Sequence, residues 1–419
     1  MSAGTSALAP LRETNFRYYF LSRLIDRAGT TMAAIALAFA VLEVSDSATA
    51  LGTVLAAYSI PMVIFLLAGG VLADRFGRTL VMQATNVASA VSQLAIAALV
   101  ITETAELWHL VVLVALNGTA TAAGMPAMAG LLPQLVPRAQ LKEANLLVAI
   151  PENALTVIGP AISGILVVTI GPGWALAVNG GTYVAATLLL TQVRIPPPLP
   201  REEGRGVLAD LRDGWTYLTS TTWLWVVVAS FGLLNAIASG AFSTLGPVLA
   251  TQTDIGESGW GLIRSAQAVG FLLCSLVLVR IHLRRPLLAG MAAMAFGGAP
   301  MVVLGLEPVL VAGALAAFAA GFGTQVFGLG WDLAMQEHVP DEMLSRAYSY
   351  DMLGSFVAIP VGQLTVGPLA AVFGVEEVML VAGLAYAALA LTTLASRSVR
   401  DLRRVPITEP VGPTTPPTL

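Results

Sequence analysis

Twelve apolar runs follow one another through the 419-residue chain, and every Lys or Arg outside those runs falls in alternate connections. Each run approaches the roughly 20 residues that an α-helix needs to cross a bilayer. Their limits are about 16–42, 48–73, 79–101, 107–132, 144–170, 174–194, 222–250, 258–280, 286–305, 308–331, 346–373 and 376–396. Basic residues occupy the segments 12–17, 75–78, 138–142, 194–212, 280–285, 346 and 397–404. The intervening connections instead carry Glu43, Asp46, Glu103, Glu106, Asp254, Glu257, Glu307, Glu376 and Glu377. Positive charge is retained on the cytoplasmic side of short loops, so both termini are expected there. Apolar runs this long satisfy their backbone groups in lipid only as helices, and the fold expected is an all-α polytopic membrane protein.

A soluble reading fails on composition: 56% of residues are hydrophobic and 11% charged, too few to cover a globule of this size. The N-terminus has no short apolar stretch ahead of a small-residue cleavage site, so no removable signal peptide is expected and the first span itself directs insertion. Cys274 is the single cysteine, which excludes an intramolecular disulfide and a cysteine-based metal cluster. No GxxxxGK[ST], HExxH or GxSxG run with a plausible triad is present, and His109, His282 and His338 show no metal spacing. Neither an enzyme nor a cofactor is expected, and nothing points to a nucleic-acid partner. Twenty of the 21 basic residues are Arg, a bias that fits a GC-rich bacterial genome.

The longest internal connection, Ile195 to Thr221, divides the spans six and six. It begins PPPLPREEGRG, a flexible composition, and continues as ADLRDGWTYL, whose helical alternation fits a short interfacial helix anchored by Trp215 and Tyr217. The expected organisation is a first half over 1–195, a linker over 196–221, a second half over 222–397 and a disordered Pro- and Thr-rich tail over 398–419. At an offset of 203 residues the halves repeat weakly: Leu135-Val136-Pro137 falls on His338-Val339-Pro340, Gly159 on Gly362 and Gly164 on Gly367.

Ionisable groups inside spans are costly and mark candidate functional sites. Arg23, Asp26 and Arg27 lie in the first span, with Asp26 about 15 Å along the helix from Phe16, near mid-membrane. Arg23 and Asp26 share a face at i, i+3, whereas Arg27 can face a neighbour. Two readings stand: a self-neutralising structural pair, or a proton or substrate site. Glu152 in the fifth span reaches a similar depth and can pair with Arg23 or Arg27. Arg264 in the eighth has no evident acidic partner and either snorkels to the interface or serves a site. Asp351 is a shallow first-turn residue of the eleventh span, more structural than functional.

Between the second and third runs, Gly70-x-Leu72-x-Asp74-Arg75-x-Gly77-Arg78 closely resembles the loop 2/3 signature of the major facilitator superfamily (MFS), departing at Thr79. In the fifth run, Gly159-Pro160-Ala161-Ile162-Ser163-Gly164 resembles the antiporter signature of MFS exporters, with Ser163 where a second Gly is commoner. Generic close packing of a neighbouring helix is the other reading of those small residues. The segments 131–147 and 330–355 resemble the 12-span drug:proton antiporter branch, which includes macrolide-efflux proteins and siderophore exporters. Met128 and Ala129 stand where many relatives carry an arginine implicated in proton coupling.

The resemblance implies twelve transmembrane helices in two six-helix pseudo-repeats, with a binding site between halves near the midplane. It implies a monomer in a bacterial inner membrane that exchanges protons for an amphipathic small organic molecule, a drug or secondary metabolite. A proton-coupled importer is the alternative, and a non-transporting sensor a third. It also implies that the opening motif holds the cytoplasmic side closed, with Asp74 near the N–H groups of residues 345–348 and Arg75 or Arg78 paired with Asp351.

Overall fold

The computed structural model describes residues 8–137, 140–194, 207–278 and 284–404, with the backbone alone over 66–74, 207–211 and several single positions. Twelve helices among them are long and apolar enough to cross a membrane. In the first half these are α1 Thr14–Val44, α2 Ala48–Phe76, α3 Arg78–Ile101, α4 Leu107–Leu131, α5 Leu141–Ile170 and α6 Pro172–Leu190. The second half supplies α7 Thr222–Gln252, α8 Gly256–Leu278, α9 Pro286–Leu306 and α10 Leu310–His338. It is completed by α11, running Asp341–Val357 and resuming Ile359–Phe373, and by α12 Val375–Ala395. The break in α11 is at Pro360, whose ring nitrogen cannot donate back along the helix. Side chains such as Ile64, Leu188, Leu315 and Val372 are more than half exposed on the bundle surface, the position of lipid-facing residues.

An even number of crossings leaves both chain ends at one face. Away from that face, a single apolar core joins the halves: Ile35 to Leu42, Leu51 and Val54 pack with Leu245, Leu249, Val366 and Ala370. Near the termini face the first half has a core of its own, built on Phe16, Tyr19, Val81, Leu131 and Leu190. The halves therefore meet mainly on the far side, where α5 packs on α8 and α2 on α11.

The internal repeat acquires a structural meaning here. Gly159 of α5 is pressed against Thr31 of α1, and its counterpart Gly362 of α11 against Ala236 of α7, each within its own half. Gly164 and its counterpart Gly367 both reach across, the first to Glu257, Ser258 and Gly261 of α8, the second to Thr49 of α2. A further pair at the same offset, Gly171 and Gly374, forms the one-residue turns α5/α6 and α11/α12 with φ,ψ of 86°,157° and 94°,153°. Side chains rarely adopt such positive φ, so glycine is the residue that allows a turn this short.

The linker is helical over Val207–Ser220, and its Trp215 ring lies 5.9 Å from that of Tyr350 on α11. Its expected flexible start, 195–206, lies outside the described residues, as do the 138–139 and 279–283 connections and the tail from 405. One boundary of the expected tail is corrected: residues 398–404 are not disordered. A short helix, Arg397–Arg400, buries Val399, and the Arg404 guanidinium binds Glu337 at 3.0 Å. Apolar burial and an ion pair hold a segment whose composition alone gave no such signal. Cys274 is fully buried on α8.

Candidate functional site

Helices α1 and α5 run parallel, in a register fixed by three contacts. Arg23 meets Glu152 and Arg27 meets Thr156, both 129 residues on, and the Ser163 hydroxyl donates to the Met32 carbonyl at 2.8 Å, 131 residues on. The approach is close because Gly159 leaves no room for a Cβ against Thr31. Ser163, the departure from the commoner glycine, is fully buried and ties the helices together with a hydroxyl.

The predicted charged group is thereby assembled. Arg23 Nη2 donates to Glu152 Oε1 at 2.5 Å, and its Nη1 lies 3.5 Å from Asp26 Oδ2. The three side chains are only 12%, 20% and 19% exposed for Arg23, Asp26 and Glu152. Each acid offers several acceptor positions, but Asp26 Oδ1 is buried without a partner, as are Arg23 Nε and Arg27 Nε. Arg27 instead donates from Nη2 to the Thr156 hydroxyl at 2.9 Å and forms no ion pair among the described residues.

Arg27 faces a cavity of about 460 Å³ between the halves. Its walls come from α1 (Arg27, Thr30, Thr31, Ala34), α5 (Asn153, Thr156, Pro160), α8 (Arg264, Gln267, Ala268, Phe271, Leu272, Ser275) and α10 (Gly321, Thr324). Arg264 does not snorkel to a membrane surface: it lies on this interior wall, with Nη1 on Gln267 Oε1 at 2.8 Å and its guanidinium 5.2 Å from the Phe242 ring. No carboxylate pairs with it among the described residues. The α5/α8 contact above the cavity is backbone on backbone, since Gly261 sits against the Pro160 carbonyl and Gly164. Beside the proline, the Ala161 N–H donates to the Ser265 hydroxyl across the interface at 3.1 Å.

The opening motif is placed less fully. Gly70 and Asp74 lie on the last turns of α2, where the backbone alone is described, so the expected seat of Asp74 on α11 lies outside the described side chains. Gly77, at φ 86°, makes the one-residue turn into Arg78 and α3, and the Arg75 guanidinium lies 5.5 Å from the Phe76 ring. Asp351 does not pair with Arg75 or Arg78. Its carboxylate accepts from Trp331 Nε1 at 3.0 Å and from the Ser355 hydroxyl at 3.4 Å, partners within its own half. Trp331 is itself buried among Trp223 and Phe327.

Sequence reasoning passed over a neutral element. On the far face, Gln363 of α11 accepts from Ser59 of α2 at 2.8 Å and donates to Ser239 of α7 at 2.9 Å. There α7 winds as a π-helix over Ala238–Leu245, with the Thr244 hydroxyl returning to the Ser239 carbonyl. The available signal was an amide in an apolar run, a group that needs a partner in lipid.

Comparison with known proteins agrees with this architecture. A family model described as Major Facilitator Superfamily matches residues 19–362. The Multidrug efflux pump Tap of Mycolicibacterium fortuitum is 25% identical over 401 residues, covering 90% of this chain and 94% of its own. The Enterobactin exporter EntS of Citrobacter koseri is 25% identical over 334 residues, or 79% of each chain. Among solved structures, the nucleoside transporter NupG superposes with a TM-score of 0.72 at 13% identity, covering 91% of this chain and 98% of that one. A bacterial homologue of the lysosomal transporter Spinster, in an inward-facing and unoccupied conformation, gives 0.71 at 13% identity, covering 95% and 99%. Twelve crossings, halves that meet around a cavity of mixed polar and apolar walls, and a family match over most of the sequence lead to one assignment: this chain is a membrane transporter of the Major Facilitator Superfamily, and not an enzyme.

Proposed function

We propose that this transporter expels an amphipathic organic molecule in exchange for protons, its halves rocking about the central cavity. The segregation of basic residues assigns the termini face to the cytoplasm. On that assignment the structure is closed outward, and the cavity belongs to the cytoplasmic loading stage. Similarity to two exporters supports the outward direction.

The observation that carries the coupling is the Arg23–Asp26–Glu152 cluster, buried next to the cavity but outside its lining. One arginine serves two acids, so a proton taken by Asp26 leaves Arg23 to Glu152 alone. Rearrangement of that pair along α1 and α5 reaches the cavity through Arg27 and Thr156, which occupy the next turn of the same register. The comparison that tests this is Asp26→Asn against Glu152→Gln at matched abundance, in everted vesicles offered a panel of lipophilic compounds. Asp26→Asn is expected to abolish gradient-driven accumulation while binding persists. Unchanged accumulation in both variants would remove the cluster from coupling.

A further inference from the structure

The central cavity carries two guanidinium groups and no acid. Arg27 enters from the first half and Arg264 from the second, and every other lining residue among those described is neutral. Neither arginine has a carboxylate partner among the described residues. Arg27 has only the Thr156 hydroxyl, with its Nε buried and unpartnered, and Arg264 has only the Gln267 amide and the face of Phe242. A guanidinium away from water needs acceptors for five N–H groups, and a carboxylate or similar oxyanion supplies them with charge-assisted bonds. Acids do stand close by, yet Asp26 and Glu152 are held by Arg23 one turn away along the same α1/α5 contact and do not line the cavity. The remaining walls are mixed: Thr30, Asn153 and Thr324 offer hydrogen bonds, and Phe271, Leu272 and Pro160 an apolar bed.

We infer that the cargo is an amphipathic organic anion whose acidic group bridges Arg27 and Arg264. This rests on the transport reading above and gives it a substrate class. It also gives the anion a mechanical role. Rocking that closes the cavity brings two like charges toward each other in a poorly screened space, which is unfavourable until an anion sits between them. An empty cavity resists closure and a loaded one permits it. An anion leaving a cell whose interior is negative is moreover driven by the membrane potential directly, whether or not a proton returns.

The test uses three probes of one shape: 1-pyrenebutyrate, 1-pyrenebutanol and 1-pyrenebutylamine, bound to the purified full chain. The butyrate is expected to bind at least about tenfold more tightly than the butanol, the scale of one charge-assisted hydrogen bond, and the amine least. Arg27→Gln and Arg264→Gln should each erase most of that preference while leaving the butanol affinity in place, which also reports that the cavity is folded. Arg264→Lys should recover part of it. No measurable butyrate binding, a preference for the amine, or a preference that survives both substitutions would overturn the assignment. In energised everted vesicles the same probe separates the two ideas. Butyrate uptake that persists when nigericin collapses the pH gradient and falls when valinomycin collapses the potential upholds the anion and removes obligatory proton exchange. Gradient-driven uptake of the amine alone upholds exchange and removes the anion.

Discussion

Arg23 holds Glu152 at 2.5 Å and Asp26 at 3.5 Å, and it is the only cation bound to either acid among the described residues. Deleting one member of a buried ion pair strands the other, at a cost of about 3–5 kcal/mol, more than the pair contributes when intact. Arg23→Gln is therefore expected to lower the melting temperature of the detergent-purified protein sharply. Adding Glu152→Gln to it should return part of the loss, a coupling of about 1–3 kcal/mol for residues in contact. Additive effects in that cycle would show that the pair is not formed in solution. The sequence made this cluster legible because charges in a lipid-crossing run stand out, and helical depth alone brought Glu152 level with Arg23. Which arginine paired was not legible: the choice depends on the α1/α5 register, to which the neutral contacts of Gly159 and Ser163 contribute alongside the arginines.

At the level of the helix, the twelve crossings were readable from hydropathy and the offset of 203 from a handful of matched residues, since lipid imposes both length and polarity. Less readable was what the repeat is for. Its matched glycines divide by task, one pair packing inside each half and one pair between halves, while Gly171 and Gly374 shape equivalent turns. Gly171→Ala and Gly374→Ala should each destabilise by about 1–3 kcal/mol, the usual cost of a side chain at such φ. The two should cost alike, because a Cβ at Gly171 meets open space and one at Gly374 meets only the movable end of the exposed Glu377 side chain. A variant as stable as wild type would contradict the strain at that turn. Replacing Gly164 by Val, by contrast, is expected to prop α5 off α8 and widen the far face. Spin labels introduced near Asp46 and Asp254 would report it as a longer distance population, and an unchanged distribution would mean that α5/α8 contact does not hold that face shut. The π-turn in α7 left no hydropathy signature, because widening a helical turn changes hydrogen-bond partners and not composition.

Across the whole molecule, the far face is closed largely by uncharged contacts. Gly52 on the Gln363 carbonyl, Gly367 on Thr49, and Gly261 on the Pro160 carbonyl bring backbone against backbone, and Ser59–Gln363–Ser239 joins α2, α11 and α7. The contacts just named carry no charge, while Glu43 of α1 and Glu257 of α8 interact as like charges from opposite halves beside them. The chemistry of this face also bears on energy conservation in the cell. Hydroxyls can relay a proton along a chain of hydrogen bonds, but a primary amide between them accepts through one atom and donates through another without exchanging protons at neutral pH. Gln363 thus interrupts any relay between the Ser59 and Ser239 hydroxyls. Gln363→Glu keeps the size and sets an exchangeable group between the two hydroxyls, and proteoliposomes bearing it are expected to dissipate an imposed pH gradient faster than wild type in the absence of any cargo. A closure that relays no protons leaves an ion gradient to be discharged only through the transport cycle.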